Sequence, residues 1–111
     1  MFSVVDSYAD RAVLRLHASH VIYQAHFPGE PITPGVCIVQ VIGELVGCRL
    51  RRSLTLSRIV YIKYIAPISP VKHSEIVVHF SAIDRSEAAC KAKGTITAGG
   101  ELMTKFSIIY V

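Results

Sequence analysis

The feature that most limits what this chain can become is the run VCIVQVIGELVGCRLRR over residues 36–52. It is apolar on nearly every side as far as residue 48. At about 17 residues it is long for a strand and ordinary for a helix. Pro34 and Gly35 punctuate its start. Arg49, Arg51 and Arg52 crowd its end, where cations suit the helix dipole. Its β-branched residues (Val36, Ile38, Val39, Val41 and Ile42) favour a strand, so length and punctuation decide for a helix. Such a helix has to be covered on every side, and the remaining residues must supply the cover.

They read as strands. Residues 11–24 alternate, with Val13, Arg15 and His17 on one face and Leu14, Leu16 and Ala18 on the other. A second short strand is expected near His20. After the helix, residues 56–65 read as a strand that ends in the turn Ala66-Pro67-Ile68-Ser69-Pro70. Residues 73–84 set Ile76, Val78 and Phe80 against Val77, His79 and Ser81. Residues 87–97 and 102–111 follow, joined at Gly99-Gly100, a pair suited to a hairpin. The expected fold class is α+β: a single domain over residues 1–111, with one helix packed against a curved antiparallel sheet.

Composition narrows the setting. Of 111 residues, 51% are hydrophobic and 18% charged, which excludes a disordered chain. A domain this small buries only about two thirds of its unfolded surface, so an oligomer or a long ligand tunnel is expected. The helix region carries Pro31, Pro34 and Gln40 and falls short of the roughly 20 apolar residues of a membrane span. The start MFSVVDSYADR lacks a signal peptide's basic and apolar segments, so the expected location is cytoplasmic. Cys37, Cys48 and Cys90 form no CxxC pattern and read as buried free thiols. The five histidines share no metal-ligand spacing. A net charge of +4 fits an acidic partner, while no motif for nucleic acid is present.

The chemistry concentrates in HFPGEPITPGVCIVQVIGE, residues 26–44. A histidine precedes a rigid loop, and the loop delivers the chain into a helix at Gly35 and Val36. Unpaired N–H groups at a helix start suit a carbonyl oxygen that acquires negative charge. Gly35 permits close approach, and Gln40 follows about one turn inside. Together these groups suit the processing of an acyl group.

This segment resembles the 3-hydroxyacyl-acyl-carrier-protein dehydratases of the hotdog fold, whose signature is HFPGxPxxPGVxxxE. His26, Phe27, Pro28, Gly29, Pro31, Pro34, Gly35 and Val36 match in order and spacing. The stretch KYIAPISPVKHSEIVVHF over residues 63–80 resembles the family's strand-turn-strand, with Val71-Lys72 at its usual glycine-aspartate turn. The resemblance implies a long helix wrapped by an antiparallel sheet. It also implies a homodimer, or an oligomer of dimers, with active sites between subunits. The implied reaction, that of fatty-acid-like biosynthesis, removes water from a 3-hydroxyacyl thioester on acyl carrier protein or coenzyme A, without metal or cofactor. His26 would be the general base. Gly35 and Val36 would bind the thioester oxygen, with Phe27 beside the substrate.

One position departs from the signature. Fourteen residues after His26 the family places an acid, and this chain has Gln40. An amide orients a hydroxyl but does not deliver a proton near neutral pH. Glu44 lies four residues on, on the same helix face, so amide and carboxylate look exchanged by one turn. A weakened dehydratase is the first expectation. An acyl thioesterase on the same fold, using Glu44, is the second. A non-catalytic partner subunit or acyl-binding protein is the third. Arg49, Arg51, Arg52, Arg58 and Lys63 read as solvated charges or as a patch for an acidic carrier.

Overall fold

The computed structural model describes residues 2–25, 31–86 and 88–111. His26 and Phe27 lie outside the described residues. Six strands form one antiparallel sheet: β1 (Phe2–Ser7), β2 (Arg11–Leu16), β3 (Leu56–Tyr64), β4 (Glu75–Arg85), β5 (Cys90–Ala98) and β6 (Glu101–Tyr110). They stand in the order β1-β2-β4-β5-β6-β3. Between β2 and β3 run a single helical turn, α1 (Ile22–Ala25), and the long helix α2 (Gly35–Leu50). The architecture is the expected α+β one, a helix held against a curved sheet.

Alternation along the strands decides which face meets the helix. Ala12, Leu14 and Leu16 of β2 are buried, as are Ile76, Val78 and Phe80 of β4. On β5 the inward residues are Cys90, Ala92, Gly94, Ile96 and Ala98, while Lys91 and Lys93 face water. Gly99 and Gly100 take φ of 58° and 81° and close the β5–β6 hairpin, the left-handed conformation that a two-residue turn requires. Gly94 has a different task. Strand β4 bulges between Phe80 and Ala82 opposite it, and a Cβ on Gly94 would run into the His79 backbone carbonyl. The Phe80 N–H, turned out of the ladder, donates to the Asp10 carbonyl at 2.7 Å. The bulge therefore bends the sheet round the helix and docks the loop before β2.

Helix α2 forms despite its β-branched residues, because burial of Ile38, Val39, Val41, Ile42, Leu45 and Val46 outweighs a propensity deficit of a few tenths of a kcal/mol per residue. It ends at Arg51, in the left-handed conformation with φ of 55°. The Arg52 N–H donates to the Gly47 carbonyl at 3.0 Å, which satisfies a terminal acceptor. Arg49 turns back on the sheet. Its guanidinium donates to the carbonyls of Tyr8, Ala9 and Arg11 at 2.6, 2.9 and 3.0 Å. It also lies 5.2 Å from the centre of the Phe80 ring. Arg49 is thus a clasp that ties the β1–β2 turn to the helix end, and it leaves the group of candidate docking cations.

Two expectations change, and one element was not foreseen. The strand expected near His20 is a turn leading into α1, where the Ile22 N–H donates to His20 Nδ1 at 3.2 Å. The first residues, with no clear alternation, form the edge strand β1. The helix is not covered on every side: Val36 is 75% exposed, and Gln40, Glu44 and Cys48 are exposed as well. Four residues apart, they line up as one bare ridge.

Gly94→Ala is expected to destabilise the fold by about 3 kcal/mol, the upper range for forcing atoms into a packed site. The obstacle is backbone rather than a movable side chain. Denaturant unfolding measures the loss.

Candidate active site

The start of α2 is built without a side-chain cap. Pro34 occupies the cap position in extended backbone, and its carbonyl accepts from the N–H groups of Cys37 and Ile38 at 3.0 and 3.2 Å. Among the described residues, the N–H groups of Gly35 and Val36 have no acceptor. These are the donors expected to hold a thioester oxygen. Just before them, the buried Thr33 donates its N–H to the Ile68 carbonyl at 2.8 Å. The Thr33 hydroxyl meets that of Tyr23, also buried, at 2.9 Å. The entry and exit of the segment that includes His26 are therefore tied to each other and to the turn after β3.

Gly35 serves a purpose that its sequence context does not reveal. A Cβ there would lie 2.5 Å from the Tyr64 hydroxyl. Tyr64, at the end of β3, covers the helix start, so the close approach that glycine permits is made by this ring. Burial pushes the Tyr64 phenol up, further from the neutral range in which a phenol is already a protonated donor. Gly43 repeats the arrangement one face round. A Cβ there would lie 2.8 Å from the Tyr110 ring. The Tyr110 hydroxyl donates to the Val39 carbonyl at 2.6 Å, and burial raises its pKa well above the usual tyrosine range.

Gln40 and Glu44 stand on the bare ridge, one turn apart as the spacing requires. On one side lies a cavity of about 380 Å³, bounded by Phe2, His20, Ile22, Cys37 and Val41. On the other, a groove of about 340 Å³ runs past Val36, Val39, Gly43, Leu54 and Tyr110. Both ridge residues border both spaces. Glu44 also borders a larger hollow of about 890 Å³ at the helix end, with Cys48, Arg51 and Arg52. Of the thiols, only Cys90 is buried as expected; Cys37 is half-buried and Cys48 exposed. Among the described residues no cluster suits a metal ion. The fold thus unites Gly35, Val36, Gln40 and Glu44 along one helix. Tyr64, Tyr110 and Phe2, all borders of this site, were not foreseen.

Residues 5–101 match the family described as ApeI-like, ApeI dehydratase. The chain belongs to the ApeI-like dehydratase family. A 3-hydroxyacyl-[acyl-carrier-protein] dehydratase, FabZ of Rhizorhabdus wittichii, is 32% identical over 89 residues, 72% of this chain and 55% of that protein. The chain thus spans little more than half the length of this relative. Two solved structures share the fold. The dehydratase heterocomplex ApeI:P from Xenorhabdus doucetiae gives a TM-score of 0.67 at 14% identity, over 99% of this chain and 97% of its own. A thioesterase from Thermus thermophilus, complexed with coenzyme A and Zn, gives 0.64 at 15% identity, over 95% of this chain and 84% of its own. The ApeI-like chain therefore has the hotdog fold that its HFPGEPITPGV segment implied.

The two glycines of α2 should respond differently to a methyl group. In Gly43→Ala the opposing Tyr110 ring is buried and anchored, so a loss of about 1–3 kcal/mol is expected. In Gly35→Ala the half-exposed Tyr64 ring swings into solvent, and the loss is expected to stay at about 1 kcal/mol or below. Thermal unfolding of both variants checks the order.

Proposed function

We propose that this chain is a dehydratase, reversible as a hydratase, for 3-hydroxyacyl thioesters carried on a protein or on coenzyme A. The observation that carries the reading is the Gln40–Glu44 ridge, bordered on both sides by cavities and headed by two free N–H groups. Family membership and the FabZ relative support the reaction class.

In this mechanism the N–H groups of Gly35 and Val36 hold the thioester oxygen. The neutral imidazole of His26 takes the proton from the carbon next to the carbonyl, and the electron pair moves towards that oxygen. As the electrons return to form the carbon–carbon double bond, the 3-hydroxyl leaves. It needs a proton to depart as water. Gln40 orients the hydroxyl through its amide, and the proton comes back from the His26 imidazolium or from Glu44. Phe27 borders the acyl chain. Residues 1–111 act as one hotdog unit, and a second copy covers the ridge to form a homodimer. The exposed apolar side chains of β3, among them Leu56, Ile59 and Val60, fit an edge that pairs with another copy. No helix among the described residues is long and apolar enough to cross a membrane.

A second reading rests on Gln40 itself. With no acid at that position, the chain fits a non-catalytic subunit beside an active one. A thioesterase is the third reading, with Glu44 as the sole ridge carboxylate to activate water.

Incubation with 3-hydroxyacyl, enoyl and saturated acyl thioesters separates the three. Loss or addition of water is the expected result; thiol release or no reaction would support the others. His26→Ala should lower turnover about 10²–10⁴-fold, as removal of a general base does. Gln40→Glu should raise it about tenfold by restoring an acid where the hydroxyl departs. This requires a covered ridge, since desolvation is what keeps the new carboxyl protonated. If Glu44→Gln abolishes turnover instead, Glu44 is the acid. Unaltered turnover in all three variants would contradict the proposed chemistry.

A further inference from the structure

A second histidine borders the ridge. His20 is half-buried just before α1, against the cavity of about 380 Å³ that Cys37, Gln40 and Glu44 also border. Its backbone is held from both sides. The His20 N–H donates to the His17 carbonyl at 3.0 Å, and the His20 carbonyl accepts from the Tyr23 N–H at 3.1 Å. Its ring is held as well, because Nδ1 accepts from the Ile22 N–H at 3.2 Å. That bond fixes the tautomer. A backbone N–H only donates, so Nδ1 is the acceptor and the neutral ring carries its proton on Nε2. Among the described residues Nε2 has no hydrogen-bond partner. The turn that carries the ring is itself anchored, since the Tyr23 hydroxyl meets that of Thr33 at 2.9 Å. Thr33 leads directly into the start of α2. His20 is therefore a preset N–H donor, tied to the helix entry by a buried contact.

The two spaces beside the ridge differ in what they offer. The groove on the Tyr110 side is walled by Val36, Val39 and Leu54, and Ser53 is its polar wall besides the ridge. Tyr110 itself donates to the Val39 carbonyl. The cavity on the His20 side sets an imidazole, a carboxamide and a carboxylate round apolar walls from Phe2, Ile22 and Val41. A group that both accepts and donates hydrogen bonds fits there, and an alcohol does both. The chemistry also calls for a donor at this point. As a carbon–oxygen bond breaks, negative charge gathers on the departing oxygen. Gln40 offers that oxygen an N–H but no acid. A second fixed N–H beside the first stabilises the charge with no rearrangement during the reaction.

We propose that His20 is a second donor to the departing 3-hydroxyl, acting through Nε2–H beside the Gln40 amide. The carbon–oxygen bond breaks and its electron pair stays on the oxygen, which the two N–H groups hold. The proton that His26 removed returns to that oxygen, and water leaves. His20 keeps its own proton throughout. The proposal rests on the dehydratase reading. It places the 3-hydroxyl on the cavity side of the ridge, and it assigns the return of the proton to His26 rather than to Glu44.

Two variants separate the donor from the turn. In His20→Asn the shorter side chain still accepts from the Ile22 N–H, as in an Asx turn, and nothing stands in the place of Nε2. In His20→Gln an amide N–H reaches the place of Nε2, and the Nδ1 acceptor is lost. With a 3-hydroxyacyl pantetheine thioester, His20→Asn should lower kcat about tenfold or more, less than the loss of a lone oxyanion donor because Gln40 remains. Its melting temperature should stay near that of wild type. His20→Gln should melt lower yet keep kcat within about threefold of wild type. The reverse order of kcat, or equal kcat in the two variants, would mean that His20 only holds the turn, and would overturn the proposal. A 3-chloroacyl thioester gives a second readout. Chloride leaves with its electron pair and takes up no proton, so the loss in His20→Asn should shrink to about twofold. Equal losses on both substrates would also overturn the proposal. Failure of the dehydratase reading looks different, because wild type then eliminates from neither thioester. Calorimetric binding of 3-hydroxyacyl and saturated acyl pantetheine thioesters decides in that event. The hydroxyl should strengthen binding about fivefold in wild type and His20→Gln, the worth of one hydrogen bond, and add nothing in His20→Asn. A hydroxyl without effect in wild type, or with the same effect in all three proteins, overturns the proposal.

Discussion

The structure depends on keeping a helix of 16 residues out of water. Nearly every side of α2 is apolar, and the sheet can reach only part of it. Curvature does the reaching: the bulge opposite Gly94 and the small inward residues of β5 let β4, β5 and β6 close round the helix. Tyr110 then lies across Gly43 and fastens its hydroxyl to the Val39 carbonyl. The line Val36, Gln40, Glu44 and Cys48 remains outside. That line carries an amide and a carboxylate, and on the reading proposed above a second copy covers it. The bare line and the candidate site thus arise from one constraint.

The two faces of the sheet divide the chemistry. The inner face supplies packing and the phenols that border the site, Tyr64 and Tyr110. The outer face supplies charge, and its halves differ because β2 and β4 set Arg15 against Glu75, whereas β5 and β6 set their lysines against Ser107, Ile109 and Thr95. Cations do different work according to where the fold puts them. Arg49 donates to three backbone carbonyls and lies against an aromatic ring, whereas Lys63 and Lys105 face each other with no ion-pair partner among the described residues.

What could be read in the sequence was local. Alternation in β4, the paired glycines at 99 and 100, and the punctuation at each end of α2 are each set by close neighbours in the chain, and the structure has them. The HFPGEPITPGV segment is also local, and it led to the family. What stayed hidden needed contacts between distant residues. Tyr64 over Gly35 and Tyr110 over Gly43 join positions far apart in the chain. The clasp of Arg49 depends on where the β1–β2 turn comes to rest. Strand β1 lacks alternation because it pairs with one neighbour and buries little beyond Phe2. The bare ridge was masked by Val36, an apolar residue on what proved to be the exposed side.

The central claim is that the Gln40–Glu44 ridge, covered by a second copy, receives the substrate. The most direct measurement is a crystal structure of the protein with a 3-hydroxyacyl thioester bound. The account predicts the acyl group between two copies and the thioester oxygen on the N–H groups of Gly35 and Val36. It also predicts the 3-hydroxyl within hydrogen-bond reach of the Gln40 amide. A thioester bound away from the ridge, or the ridge of α2 open to water in the complex, would contradict it.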